Sequence, residues 1–286
     1  MNSVTVAIPC YNGAAYIQRC IEAILAQSSP PERVLVIDDG STDDSAQLIS
    51  AYPVQLIRHA QNRGLSSARN TALANTETEM LAFVDADAYA DEHMLENLMV
   101  EFSQNEPGGV GGRGIEAVQN TIYDRWRSVH ASQGYGEKRI EGCQHLFGLC
   151  MAYRRKALEA VNGFDTGFRT NGEDMDIGFR LNDAGHRLVY TPAARVFHQR
   201  KDDHVSIRRM MYQWYYWAFI AKQKNGRNPW SLLGGTIRRL IWTDRWMDLI
   251  VRRSLGLMQL DVELSLVKMQ AIFAAARAKR DSGNRP

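Results

Sequence analysis

VIDDGSTDD (residues 36–44) closes a β-branched run on two adjacent carboxylates and follows them with turn formers and more acid. Unpaired charges are costly inside a core, so such a pair must face a rim where polar groups meet it. The flanking sequence says what kind of rim. SVTVAIPCYN (3–12) reads as a strand, and AAYIQRCIEAILAQ (14–27) then carries Tyr16, Ile17, Cys20, Ile21, Ile24 and Leu25 at helical spacing. RVLVIDDGS (33–41) is a second strand, DDSAQLISAY (43–52) an acid-capped helix, VQLIRH (54–59) a third strand and GLSSARNTALAN (64–75) a third helix. MLAFVDADAYA (80–90) is a fourth strand ending again on acid, with DEHMLENLMVEF (91–102) helical behind it. Four strand–helix alternations predict an α/β fold, a mostly parallel sheet covered on both faces. In such sheets the ligand crevice lies beyond the carboxyl ends of the strands, so Asp38, Asp39, Asp85 and Asp87 should share one rim.

Farther along, PGGVGGRG (107–114) suits a turn or a strand closely approached by other backbone, and 115–145 shows no clear periodicity. EDMDIGFRLNDAG (173–185) reads as a helix with an acidic first turn and a terminating Gly185, followed by a strand, HRLVYTPAARVFH (186–198), interrupted at Pro192. From 205 onward the chain is helical, basic and aromatic. Residues 1–204 carry 19 Lys and Arg against 27 Asp and Glu, whereas 205–286 carry 15 against 5. This asymmetry predicts two parts with different partners, a domain over 1–204 and a helical C-terminal region over 205–286. The four cysteines have neither metal-site spacing nor the density of a disulfide scaffold, which predicts a reducing, cytoplasmic setting. No apolar run reaches the ~18 residues of a membrane span.

Two constellations carry chemistry. In VDAD (84–87) two carboxylates lie two residues apart at a strand end, where they can share one hard divalent cation that keeps places for phosphate oxygens. An isolated D-x-D is more often a solvated turn; its place on the rim favours the metal. In NGEDMD (171–176) the acids cap a helix, and a carboxylate held there can also take a proton from a hydroxyl nucleophile.

AIPCYN, VIDDGSTD, NRGLSSARN, FVDADA, GFDTGF with GEDMDIGFRL, and ARVFH follow one another in an order and spacing that resembles the family 2 glycosyltransferases. The resemblance covers roughly residues 3–204 and implies a GT-A fold and an inverting transfer from a nucleotide sugar. By that resemblance Pro9, Tyr11 and Asp39 line the nucleoside pocket, with Asp39 accepting a hydrogen bond from the base. Arg69 sits beside the base or diphosphate. Asp85 approaches the ribose or metal, and Asp87 ligates Mn²⁺ or Mg²⁺, helped by His198; His204 is a weaker candidate. Asp38 either joins the nucleotide site or caps the next turn. Asp174 matches the catalytic base and Glu173 orients the acceptor or nearby backbone. For acceptor binding the expectation falls on 115–145, with Trp126 and His130. The Q-x-x-R-W signature of processive synthases is absent, which favours single sugar addition, with a UDP-sugar as the favoured donor and a glycan or lipid-linked hydroxyl as acceptor.

The C-terminal region interleaves arginines with aromatics, as in TIRRLIWTDRWMDLIVRRSLGLMQL (236–260) with Trp242 and Trp246. This suits a helix lying on an anionic membrane, which would place the protein at the inner face of the plasma membrane. The competing expectations are packing on the catalytic domain and a homodimer. Nucleic acid is not expected, for no binding module accompanies the charge. Three functional alternatives stand beside the transferase. A nucleotidyltransferase would want a Gly-rich, basic phosphate loop where this chain has PCYNGAAY; a non-catalytic nucleotide-sugar-binding protein would not need both Asp87 and Asp174; and a dinucleotide oxidoreductase would need G-x-G-x-x-G after the first strand.

Overall fold

Every residue of β1 (Val4–Cys10) is buried, and its side chains alternate between two cores. Val6 and Ile8 face one, Ala7 the other, which is what a strand covered on both sides requires. The computed structural model describes residues 3–242 and 244–283, and their side chains other than those of 105, 242, 244–246 and 279–283. The elements that follow are α1 (Ile17–Leu25), β2 (Arg33–Asp38), α2 (Ser45–Ile49), β3 (Gln55–Arg58), α3 (Leu65–Ala74), β4 (Met80–Val84), β5 (Ala88–Ala90), α4 (Met94–Asn105) and β6 (Gly109–Glu116). After α5 (Ile122–His130) come β7 (Ile140–Glu141), β8 (Cys150–Arg154), α6 (Arg155–Ala160), α7 (Glu173–Asp183) and β9 (Leu188–His198). The chain then continues as α8 (His204–Lys224), α9 (Ser231–Trp242), α10 (Asp244–Ile250) and α11 (Leu255–Gly283).

The strands form one mixed, mostly parallel sheet in the order β3-β2-β1-β4-β8-β6-β9-β5, with β7 paired to β9. β3, β2, β1 and β4 run parallel; β8 is antiparallel to both β4 and β6, and β6 runs parallel to β9. One face is packed by Ile17, Ile21 and Ile24 of α1, Ile49 of α2 and Leu95 and Leu98 of α4. The other is packed by Ala68 and Ala72 of α3, Leu158 of α6 and Ile177 and Leu181 of α7.

Two compact units divide the chain. The first comprises residues 1–117 and 132–200, and the second 118–131 and 201–286. In the second unit, Trp126 of α5 is buried in a core with Ile207, Met210 and Met211 of α8 and Leu257, Leu260, Leu264 and Val267 of α11. Thr121 and Asp124 form a capping box at the start of α5. No helix among the described residues is long and apolar enough to cross a membrane. The side chains of Trp242 and Trp246 lie outside the described residues.

The sheet departs from the sequence reading in two places that matter. Residues 80–90 are not one strand: β4 stops at Val84, a turn closed by Ala88 N–H to Asp85 O (3.0 Å) carries Asp85–Asp87, and β5 then pairs with β9 instead of β1. Conversely, β9 runs unbroken through Pro192. Its register against β6 jumps from Gly111↔Tyr190 to Arg113↔Arg195, and this bulge relieves the proline of any ladder bond. Gly112 sits opposite the bulge, where a Cβ would meet Ala194 O and Cys150 Sγ at 2.6 Å, so the Gly-rich run is a strand closely approached by its neighbours. The segment 115–145, unreadable by periodicity, holds the capped helix α5 and the two-residue β7.

Candidate active site

The two acids that end β2 are buried, and each has its own partners. Asp38 accepts from Ser41 N–H (2.9 Å) and pairs with Arg58 Nε (3.0 Å) at the end of β3. Asp39 Oδ1 meets His59 Nδ1 (2.6 Å) and accepts from Arg63 N–H (2.9 Å), while Oδ2 accepts from Gly64 N–H (2.7 Å). Gly64, at φ +95°, is held so close that a Cβ would lie 2.9 Å from Arg169 O. The like charges are thus tolerated because one clamps the turn after β2 and the other the loop before α3. Asp38 is wholly buried, so the turn-capping alternative is the one the structure supports, and its expected contact with nucleotide is corrected. Asp39 has spent three of its roughly four acceptor positions. Pro9 is buried in β1, whereas Tyr11, just beyond it, is 50% exposed.

Next along the rim is the D-x-D turn. Asp87 Oδ2 lies 3.1 Å from His198 Nε2, and His198 Nδ1 lies 3.1–3.2 Å from both carboxylate oxygens of Glu116. This is a consequence of strand order: His198 ends β9, whose neighbours are β6, ending at Glu116, and β5, which begins after Asp87. Burial would lower the pKa of His198, but the two carboxylates outweigh it and raise it to about 9. Burial likewise opposes the charge of Asp87, and the bond to His198 prevails, holding its carboxyl below the ordinary value. Glu116 drew no notice in the sequence; only the parallel register Glu116↔His198 brings it here.

Asp85 points the other way, to Arg69. The guanidinium is wholly buried, donating from Nη1 to Glu173 Oε1 (2.5 Å) and from Nη2 to Asp85 Oδ1 (3.1 Å) and Gly148 O (3.3 Å). Burial pushes Asp85 up to about 7, Arg69 working against it and Asp87 and Glu173 adding to it. Two expectations are corrected by this bridge. Arg69 is wholly buried with Nη1 and Nη2 committed to Glu173, Asp85 and Gly148, against its expected place beside the base or diphosphate, and Glu173 is its counter-ion, against the expected acceptor contact. A buried carboxylate of this kind is stable only with such a partner.

Asp174, the next residue, is half-buried at the start of α7, accepting from Met175 N–H (2.7 Å) and Gly148 N–H (3.2 Å). Burial raises its pKa against the opposing pull of Arg69 and these amides. Gly148, also unforeseen, therefore ties both ends together, its carbonyl on Arg69 and its amide on Asp174. Asp85, Arg69, Glu173, Gly148 and Asp174 form one continuous chain of contacts from the end of β4 to the start of α7.

The expected acceptor residues belong to the second unit. Trp126 is wholly buried in the second unit with Lys268 5.0 Å over its ring, and His130 pairs with the buried Asp248 (2.9 Å). Both are core groups of that unit, which corrects their assignment to acceptor binding. His204 pairs with Glu263 (2.8 Å).

Residues 5–161 match the family model of Glycosyl transferase family 2. The chain belongs to this family. The Pre-mycofactocin glycosyltransferase of Mycobacterium tuberculosis is 30% identical over 207 residues, covering 69% of this chain and 43% of that protein. The O-antigen chain rhamnosyltransferase WbaN of Salmonella anatum is 27% identical over 242 residues, 80% of this chain and 74% of its own. This family 2 chain spans less than half the length of the first curated relatives it matches. Among solved structures, the mannosyltransferase PcManGT from Pyrobaculum calidifontis, in complex with GDP-Man and Mn²⁺, superposes with a TM-score of 0.68 at 21% identity, covering 99% of this chain and 88% of that one. Staphylococcus aureus TarS 1–349 with UDP-GlcNAc gives 0.59 at 17%, covering 94% and 81%. These likenesses establish the GT-A fold.

Among the described residues no three His, Cys, Asp or Glu side chains form a ready cation cage. What converges is a pair, Asp87 Oδ2 and His198 Nε2, with Glu116 behind the imidazole. The pair would suit a divalent ion that also binds phosphate and water oxygens: Glu116 faces Nδ1, and Nε2 would become a ligand on giving up the proton it shares with Asp87.

Proposed function

We propose that this glycosyltransferase moves one sugar, with inversion, from a nucleoside diphosphate sugar, UDP favoured, to a hydroxyl of a glycan or lipid-linked acceptor. The observation that carries the proposal is the unbroken contact chain linking the D-x-D turn to Asp174 through Arg69 and Gly148. In this reading it joins the turn whose Asp87 would hold a cation to Asp174, which would accept the proton. PcManGT was solved with GDP-Man and Mn²⁺ and TarS with UDP-GlcNAc, which supports a nucleotide-sugar donor and a divalent metal here.

In this reading Tyr11 and the remaining lone pair of Asp39 meet the nucleoside. Asp87 and His198 would hold Mn²⁺ or Mg²⁺, which supplies charge neutralisation to the leaving diphosphate. Asp174 accepts the proton of the acceptor hydroxyl as its oxygen forms a bond to the anomeric carbon. The bond from that carbon to the diphosphate oxygen breaks on the opposite face, and the electron pair leaves with the nucleotide. A raised pKa suits Asp174 to this task, because a base too weak takes no proton and one too strong is already protonated. Arg69 and Glu173 hold Asp85 and the start of α7 in register. The unit of residues 1–117 and 132–200 is then the catalytic one. The basic residues 205–286 bring it to an anionic membrane surface at the cytoplasmic side, close to a lipid-linked acceptor.

A nucleotidyltransferase is disfavoured by the loop after β1. Its amides are already committed: Asn12 N–H to Ser41 Oγ (2.9 Å), Gly13 N–H to Ser45 Oγ (2.9 Å) and Ala14 N–H to Asp43 Oδ2 (3.0 Å). A loop filled by hydroxyls and a carboxylate is no cradle for a triphosphate. The test is a screen of UDP- and GDP-sugars with Mn²⁺ by thermal shift, followed by transfer assays of Asp174→Asn and Asp87→Ala. Asp174→Asn should keep donor binding and lose transfer, whereas Asp87→Ala should lose metal-dependent donor binding. Wild-type turnover by Asp174→Asn would rule out the base.

A further inference from the structure

The described side chains between Ile237 and Leu255 expose an unusual run of large apolar groups. Ile237, Ile241, Met247, Ile250, Val251 and Leu255 are 42–68% exposed. Isolated exposed apolar residues are ordinary, but these six and Leu249, at 37%, make seven within nineteen positions, and a patch of that kind is covered by something in use. What covers this one is indicated by its charges. Arg238, Arg239, Arg252 and Arg253 are exposed among the apolar residues, and the one acid of the stretch with a described side chain, Asp248, is wholly buried against His130 and Arg252. An aqueous protein partner would be met by mixed charge on a typical surface; here every exposed described charge of the patch is positive.

We infer that the end of α9, the last turn of α10 and the 251–255 connection form the membrane-docking face of the protein, seated in the interface of an anionic bilayer. Apolar side chains enter the headgroup boundary while the arginines remain at phosphate level, their alkyl stems lying along the apolar layer. Asp248 has a part in this. It is wholly buried with 2.8–2.9 Å bonds to Arg252 and His130, so the stretch offers anionic lipid no exposed repelling carboxylate from its described side chains. The inference rests on the membrane reading of residues 205–286 given above, and sharpens it to one face. It does not depend on which sugar is transferred.

The experiment uses the full-length protein and two vesicle compositions, phosphatidylcholine alone and phosphatidylcholine with 30% phosphatidylglycerol, in flotation gradients. Wild-type protein should float with the anionic vesicles and stay down with the neutral ones. Ile250→Ser with Val251→Ser should lower the bound fraction, and Arg238→Gln, Arg239→Gln or Arg253→Gln should each weaken partitioning about five-fold. All of these positions are exposed, so the variants should melt with wild type and keep the donor-induced thermal shift. Loss of flotation with an intact donor shift places the defect at the membrane. A missing donor shift in wild type, with flotation retained, would count against the donor reading alone. Wild-type protein that stays down with both vesicle types overturns the inference. So does a dimer in light scattering that the Ile250 and Val251 substitutions dissolve while leaving flotation unchanged, for the patch would then be a subunit interface.

Discussion

Asp174 and Glu173 are neighbours in sequence with opposite fates, because a helix turns successive side chains about 100° apart. Glu173 faces inward to Arg69 and Asp174 outward beside Gly148. The consequence for kinetics is that Asp174→Asn should lower kcat by about 10²–10⁴-fold with donor binding retained. Steady-state transfer measured beside donor titration checks it. Glu116 acts through His198. Glu116→Gln leaves a hydrogen-bonding group but removes the charge that steadies the Nδ1 proton, and should weaken Mn²⁺ binding about 10–100-fold. Electron paramagnetic resonance titration of Mn²⁺ in the presence of nucleotide reads this directly, and Glu116→Asp should recover part of it. A merely structural role for Glu116 predicts lowered stability with unchanged Mn²⁺ affinity. The carboxylates of this site were legible as residues, since acid at a strand end or helix start is conspicuous. Which of them face solvent was not, and Glu116 and Gly148 carried no local signal at all.

Among the elements, α5 and β6 each hold a contact that a single substitution tests. At the start of α5 the Asp124 carboxylate accepts from Thr121 N–H (3.0 Å) and Asp202 N–H (2.7 Å). Burial disfavours its charge, yet these amides win and hold its pKa below the ordinary value. A depressed native pKa stabilises the fold above the unfolded value of about 4 and loses that contribution as pH falls through the native value. Asp124→Asn should therefore cost about 0.5–2 kcal/mol near neutral pH. The gap to wild type should close in acid, as urea midpoints across that range would record; a constant gap would sink the assignment. In β6, Gly112→Ala forces a methyl group against Ala194 O and Cys150 Sγ, both 2.6 Å from the ideal Cβ. It should destabilise by about 1–3 kcal/mol, read as a lowered Tm, whereas the same change at Gly234, with open space around it, should not strain packing. The strands and helices before residue 105 were readable because periods of 2 and 3.6 persist in them. The break of 80–90 into two strands was not, since it depends on β9, a hundred residues later, capturing the second half.

For the molecule as a whole, the −8 of residues 1–204 and the +10 of residues 205–286 nearly cancel, leaving a net charge of +2. In the proposed reading a cation lies between the acidic rim and the anionic donor, so donor and metal should stabilise the fold together. With a nucleotide sugar at 100 times its Kd and Mn²⁺ present, the gain should be about 2.7 kcal/mol, and chelation with EDTA should remove most of it. A full thermal shift surviving EDTA would contradict the role given to Asp87 and His198. The sequence by itself determined the α/β alternation, the family and the acids at the strand ends, because hydrophobic period and turn chemistry are local properties written in consecutive residues. The tertiary structure alone decided that Arg69 is a buried clamp, that Glu116 stands behind His198 and that Trp126 belongs to a helical core. These follow from strand order and burial, which depend on contacts between residues as far apart as Arg69 and Glu173, and no window along the chain contains both partners.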